Sequence, residues 1–255
     1  MTRMSGVLLD LSGVVFSSGA AIGDAVAAVA DLRAHGIALR FVTNTTSEPL
    51  RVLRETLQGL GIAASDEHIF TPATAARGLV REHGWSPHFL MNPALLEDFD
   101  PPSGADPDAV IVGDAGRAFT FDALNAAFRL IDGGAAFIAL ARNRTFRDDG
   151  ALSLDAGPFV AALEYASRRE ALLIGKPAAA FYDSALADLG TPAASTVMIG
   201  DDAESDVEGA MAAGMAGILV RTGKYRDGDE TRIKPAPTAT LADLREAVDW
   251  VLERR

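Results

Sequence analysis

Four short polar stations, each closing an apolar run, hold the residue types from which phosphoryl-transfer chemistry can be built. Asp10 ends VLLD, Thr43 and Asn44 end RFVTN, Lys176 stands in LLIGKP, and Asp201 opens an acidic group with Asp202 and Asp206 after VMIG. Phosphoryl transfer depends mainly on positioning and on neutralising the phosphoryl oxygens, so a metal cation, a lysine and neutral donors converging on one anion make chemical sense. In that arrangement Asp10 attacks phosphorus and carries the group as an aspartyl-phosphate. Two carboxylates beside a phosphoryl group repel it, and each other, unless a divalent ion lies between them. Oxygen donors without His or Cys point to Mg²⁺, which takes one or two carboxylates together with substrate oxygens and water.

Singly, none of these residues is decisive. An aspartate after a strand is more often part of an Asx turn, and Thr43 and Asn44 are ordinary turn formers. Asp202, Glu204 and Asp206 suit the first turn of a helix, whereas Asp201 ends its strand and is the better ligand. Lys176 precedes Pro177 near a helix start, a poor place for a cation, and that misplacement leans toward function.

The elements that must position these groups read as an α/β alternation. Val7, Leu8 and Leu9 form a continuous apolar run, as a strand covered on both faces should, and Ser12-Gly13 end it with turn residues. Ligands of open α/β sheets bind just beyond the carboxyl ends of the strands, which is where Asp10 falls. DAVAAVADLRAHG reads as a helix, ALRFVTN as a strand and SEPLRVLRETLQGLG as a helix. Residues 74–172 read as an inserted α/β cap, with its own helices and strands and with RNRTFRDDG (142–150) as a loop. Residues 1–73 and 173–255 read as the core, a doubly wound, Rossmann-like parallel sheet to which ALLIGKP, TVMIGDD and MAGILV each contribute a strand.

Composition narrows the partners. The 255 residues carry a formal charge of −12 with no Lys/Arg-rich segment to reverse it, which argues against a nucleic-acid partner but leaves room for a small anion neutralised by metal. With no cysteine there is no disulfide, thiolate nucleophile or Cys-ligated metal, in keeping with a reducing cytoplasm. MTRMSGVLLDLSG is too short in apolar residues for a signal peptide, and no segment approaches the ~20 apolar residues that span a bilayer. The expectation is a soluble cytoplasmic enzyme with no membrane partner.

VLLDLSG, FVTN, GKP and MIGDD, in this order and each after an apolar strand, resemble the haloacid dehalogenase-like hydrolase superfamily, in its capped class IIA branch. GVLLDLSGVVF, FVTNTT, LDAGPFVAALEYA, IGKPAAAFYDSAL, VMIGDD and VRTGKYR resemble more narrowly the phospholysine phosphohistidine inorganic pyrophosphate phosphatases and their close relatives. The resemblance implies Asp10 as nucleophile and first Mg²⁺ ligand, a metal-binding backbone carbonyl at Ser12, and Asp201 as the second carboxylate ligand. It makes Asp10, Ser12, Thr43, Asn44 and Lys176 the phosphate-binding set, with Lys176 also holding the nucleophile, and gives Asp206 a supporting role behind the metal. It also suggests a homodimer joined through caps. In the cap, Arg142 and Asn143 follow a strand in a polar loop, which places them either at a substrate or in a solvated loop.

Most phosphatases of the superfamily carry a second aspartate two residues after the nucleophile, as general acid and then base. Here that position is Ser12. Losing such a group typically removes ~10²–10⁴ in rate. Pyrophosphate, phosphoramidates and aryl phosphates release good leaving groups and tolerate the loss better than alkyl phosphates. A phosphate-binding regulatory protein on the same scaffold is the alternative. A carbon-halogen hydrolase ranks lower, because it has no need of the retained Asp201 and Asp206.

Overall fold

The computed structural model describes residues 3–100, 104–148 and 151–255. The chain runs β1 (Gly6–Asp10), a small hairpin of β2 (Phe16–Ser17) and β3 (Ala20–Ala21), α1 (Ala25–Ala34), β4 (Ala38–Val42), α2 (Leu50–Gly59), β5 (Ile69–Phe70) and α3 (Pro72–His83). Then come β6 (Pro87–Leu90), β7 (Ala109–Val112), α4 (Phe121–Asp132), β8 (Ala136–Ala139), β9 (Thr145–Asp148), β10 (Ala151–Leu154), α5 (Ala156–Ser167) and β11 (Leu172–Leu173). The last part holds α6 (Ala179–Leu189), β12 (Thr196–Gly200), a π-helical turn (Ala203–Glu208), α7 (Gly209–Ala212), β13 (Ala216–Val220), β14 (Ala239–Leu241) and α8 (Leu244–Leu252). Two compact units result: residues 1–43, 50–70 and 176–255, and residues 44–49 and 71–175.

The first unit is built on a six-stranded parallel sheet in the order β14-β13-β12-β1-β4-β5. Every residue of β1 is buried, which explains its unbroken apolar run. Val7 and Leu9 join Phe41, Val197, Ile199 and Ile218 in a core closed by Leu32 of α1, Leu53 and Leu57 of α2, and Val248 and Val251 of α8. On the other side, Phe181 and Tyr182 of α6 are fully buried, and Val207 packs with Leu219 and Ile233. The chain leaves β1 toward β4 on one side and returns to β12 on the other, so strand order reverses at β1. That reversal point is where doubly wound sheets leave a crevice, and Asp10 is the last residue of β1.

The second unit has its own parallel sheet, β11-β8-β7-β6, with α4 and α5 packed through Ala127, Ile131, Val160 and Leu163. Thr71 caps α3 by accepting from the Thr74 N–H at 3.1 Å, with Pro72 in the first turn, a start suited to that helix.

Two sequence readings are corrected here. The segment 142–150, read as a loop, contributes β9, which pairs antiparallel with β10 in register Thr145↔Leu154 to Asp148↔Ala151. Asp149 and Gly150 of that stretch lie outside the described residues. ALLIGKP, read as a strand of the core sheet, supplies β11 to the second sheet, with Leu172↔Ile138 and Leu173↔Ala139. An apolar run announces a strand without saying which sheet will take it. No helix among the described residues is long and apolar enough to cross a membrane.

Candidate active site

The carboxyl ends of β1 and β12, the residue before Pro177 and one π-helical turn bring four charged side chains together inside the first unit. Asp10, Lys176, Asp201 and Asp206 are each at most 6% exposed, so each charge depends on its buried neighbours for compensation. Lys176 Nζ donates to Asp10 Oδ1 at 2.5 Å and to Asp206 Oδ1 at 2.6 Å. Asp206 Oδ2 accepts from the Asp202 N–H at 3.1 Å, so both its oxygens are engaged. The turn that carries Asp206 is secured at two points. Asp202 accepts at its start from the Glu204 and Ser205 N–H groups, and the buried Tyr182 hydroxyl donates to the Ser205 carbonyl at 2.5 Å.

Asp201 is held differently. Its Oδ2 accepts from the Lys224 N–H at 2.6 Å, while Oδ1 is buried without a hydrogen-bond partner. A buried carboxylate oxygen left unsatisfied is costly, and a cation is the natural complement. One carboxylate oxygen from each of Asp10, Asp201 and Asp206 lies within 4.8 Å of the others, and this all-oxygen set fits a hard divalent ion such as Mg²⁺. Since Asp206 already serves Lys176 and a backbone N–H, Asp10 and Asp201 are the better-placed ligands.

Three acids and one ammonium leave an excess of negative charge in a poorly solvated place. Burial pushes the Asp10 carboxyl up to about 7, with Asp206 and Asp201 adding to the rise and Lys176 opposing it. Burial and Asp206 push Asp201 up to about 6, against the Lys224 N–H. Lys176 loses from burial but gains more from Asp10 and Asp206, and is held above the usual lysine range. Both aspartates thus titrate higher in the folded chain than in the unfolded one. The folded state then binds more protons, and stability falls as pH rises through about 4 to 7. In chelator the protein is expected to lose on the order of 3 kcal/mol between pH 5 and 8 from this site. Saturating Mg²⁺ is expected to restore it. Urea unfolding of wild type and Asp201→Asn measures the effect; equal pH slopes in the two would count against it.

The remaining sequence-predicted residues fall as follows. Ser12 lies two residues past Asp10, exposed and bridged to Phe16. Thr43 follows β4, buried, with its N–H donating to the Phe70 carbonyl at 3.2 Å. Asn44 groups with the second unit, as do Arg142 and Asn143. Arg142 is paired with Glu164 at 2.6 Å, and the Asn143 carbonyl accepts from the Gly157 N–H at 2.9 Å. Both residues therefore brace the start and body of α5. The roles of two groups escaped the sequence reading, although their stretches IGKPAAAFYDSAL and VRTGKYR carried part of the resemblance: the Tyr182 hydroxyl and the Thr222–Lys224 turn.

The chain belongs to the haloacid dehalogenase-like hydrolase family and is an enzyme of its phosphatase kind. Residues 7–100 match the family described as haloacid dehalogenase-like hydrolase and residues 173–247 the one described as HAD-hydrolase-like. Haloacid dehalogenase-like hydrolase domain-containing protein 2 of Bos taurus is 44% identical over 250 residues, which cover 98% of this chain and 96% of that protein. The phospholysine phosphohistidine inorganic pyrophosphate phosphatase of Mus musculus is 38% identical over 259 residues, covering 99% of this chain and 96% of its own length. The solved p-nitrophenyl phosphatase from Archaeoglobus fulgidus has a TM-score of 0.89 at 25% identity, covering 97% of this chain and 99% of that one.

Proposed function

We propose that this enzyme is a Mg²⁺-dependent phosphohydrolase that uses Asp10 as nucleophile on small phosphorylated substrates with good leaving groups. The observation that carries the reading is the Lys176 ammonium clamped between Asp10 and Asp206, beside an Asp201 oxygen that no donor among the described residues reaches. Lys176 fixes Asp10 through Oδ1, which aims Oδ2 at the incoming phosphorus. As the Oδ2–phosphorus bond forms, the bond to the leaving oxygen or nitrogen breaks and the electron pair departs with it, a nitrogen leaving as the neutral amine because the substrate already carries its proton. Water then attacks phosphorus, the bond between Asp10 Oδ2 and phosphorus breaks and the carboxylate returns, while one water proton stays on the released phosphate and the other passes to a phosphate oxygen or to solvent. Thr43 and Asn44 donate to phosphoryl oxygens, and Lys176 neutralises part of the charge that develops there. A bound Mg²⁺ would supply further charge neutralisation and keep Asp10 ionised at neutral pH. The inserted second unit is assigned the role of a substrate-selecting cap.

Ser12 supplies no acid to the leaving group, and the names of two relatives support a preference for good leaving groups. One is named for phospholysine, phosphohistidine and pyrophosphate and another for nitrophenyl phosphate; a phosphoramidate nitrogen is already protonated on the substrate when it leaves, and inorganic phosphate and nitrophenolate are weakly basic, so none calls on Ser12 for a proton. Phosphate release from pyrophosphate, phosphoramidate, nitrophenyl phosphate and an alkyl phosphate, with Mg²⁺ and with chelator, tests the reading. Metal-dependent turnover of the first three is expected. Silence across the panel, with Mg²⁺ and phosphate still bound, would favour a regulatory phosphate-binding role. Chloride release from a haloacid in chelator would favour a dehalogenase. Ser12→Asp is expected to raise alkyl phosphate turnover by roughly 10²-fold, toward the range that general acids supply. An unchanged ratio of alkyl to nitrophenyl activity would remove Ser12 from the explanation.

A further inference from the structure

Asp201 is oriented by a turn that brings almost nothing but backbone to it. After β13 the chain folds over the exit of β1, where Thr222 Oγ1 donates to the Gly13 carbonyl at 2.5 Å and the Lys224 N–H donates to Asp201 Oδ2 at 2.6 Å. Gly13 and Gly223, both with positive φ (89° and 57°), meet at this crossing. A Cβ on either would land on Asp201 Oδ2, and one on Gly223 would also strike the Gly13 backbone. Glycine is therefore required twice, by conformation and by space.

The segment beyond the turn braces it. The Arg226 guanidinium donates to the Lys224 and Tyr225 carbonyls at 2.9 and 3.0 Å, and the Tyr225 hydroxyl donates to Glu230 at 2.8 Å. A polar cavity of about 340 Å³ opens beside Asp201, but its three cations are engaged: Arg226 as above, Arg232 with Asp229 at 2.9 Å and Lys224 with Asp202 at 3.8 Å. The cavity wall thus acts as support for the turn.

We propose that the Thr222–Lys224 turn is the positioning element for Asp201, occupying Oδ2 and leaving Oδ1 as the oxygen offered to a divalent cation. The inference rests on reading Asp10 and Asp201 as a cation site. A carboxylate free to rotate would lose rotamer freedom on binding the ion, and it could also turn toward Lys176 and weaken the Asp10 clamp. Fixing one oxygen in advance removes both costs. Partners behind a metal ligand typically contribute 10–100-fold in affinity.

Calorimetric Mg²⁺ titration of the full chain, alongside urea unfolding in chelator, separates positioning from general stability. Wild type is expected to bind Mg²⁺ and Asp201→Asn to lose it. Thr222→Val keeps the side-chain shape without the donor, and should weaken Mg²⁺ binding roughly 10-fold. Thr222→Ser should restore it, and Gly223→Ala should weaken it further than Thr222→Val. If Thr222→Val lowers the unfolding midpoint but binds Mg²⁺ as wild type does, the turn is only structural and the proposal is overturned. If wild type and Asp201→Asn behave alike toward Mg²⁺, the cation-site reading has failed and the proposal falls with it.

Discussion

Asp10→Asn is expected to abolish metal-dependent phosphate release while leaving the apo-protein at least as stable as wild type at pH 8. The loss in rate should be on the order of 10⁴–10⁶, as for other enzymes stripped of their nucleophile, or roughly 5–8 kcal/mol of barrier. An amide can still accept the Lys176 proton through its oxygen, so the 2.5 Å contact has a substitute. What disappears is one negative charge from a cluster that holds three acids against one lysine. Because Asp10 titrates near 7 in the folded chain, its ionised form costs stability at pH 8, and removing it should gain ~1 kcal/mol or more in chelator. Mg²⁺ should no longer shift the unfolding midpoint. Paired assays of phosphate release and urea unfolding read both effects. A variant that stays active refutes Asp10 as nucleophile, and one that loses activity only by unfolding leaves the charge argument without support.

The sequence made the site more legible than the architecture around it. β1 could be read because a strand buried on both faces must be continuously apolar, and its end then locates Asp10. Asp201 followed in the same way from β12. β5 and β14 went unread because an edge strand of two or three residues leaves no periodicity to detect. β11 was legible as a strand but not as a member of the second sheet, since pairing partners are chosen by tertiary packing. The groups that orient Asp201 were hidden for a related reason. A backbone N–H such as that of Lys224 has no residue-type signature, and a Thr-Gly pair reads as an ordinary turn until β1 is seen to pass beneath it. Tyr182 was missed because an aromatic on a helix announces burial, whereas its function lies in the hydroxyl.

Lys176→Met should cost the protein both its reaction and much of its fold. The side chain is replaced by an apolar one of similar length, so packing is largely kept and the change isolates charge. Asp10 and Asp206 would then face each other and Asp201 without the buried ammonium that now lies 2.5 and 2.6 Å from them. Removing one partner of a buried ion pair typically destabilises by ~3–5 kcal/mol, because the remaining charge is uncompensated. The size of the loss should depend on pH. Lys176 lowers the Asp10 pKa, so its removal drives that carboxyl above the present value of about 7 and widens the range over which folding takes up a proton. At pH 5 Asp10 and Asp201 can be protonated and the variant should approach wild type; at pH 8 it should be far weaker in chelator, and Mg²⁺ should recover part of the difference. Activity should not return with the metal, since the cation replaces charge but not the contact that aims Asp10. Urea unfolding at the two pH values, with and without Mg²⁺, reads the stability, and phosphate release reads the aim. A pH-independent loss would mean that Lys176 matters here for packing, and full activity in Mg²⁺ would mean that Asp10 needs no ammonium to hold it.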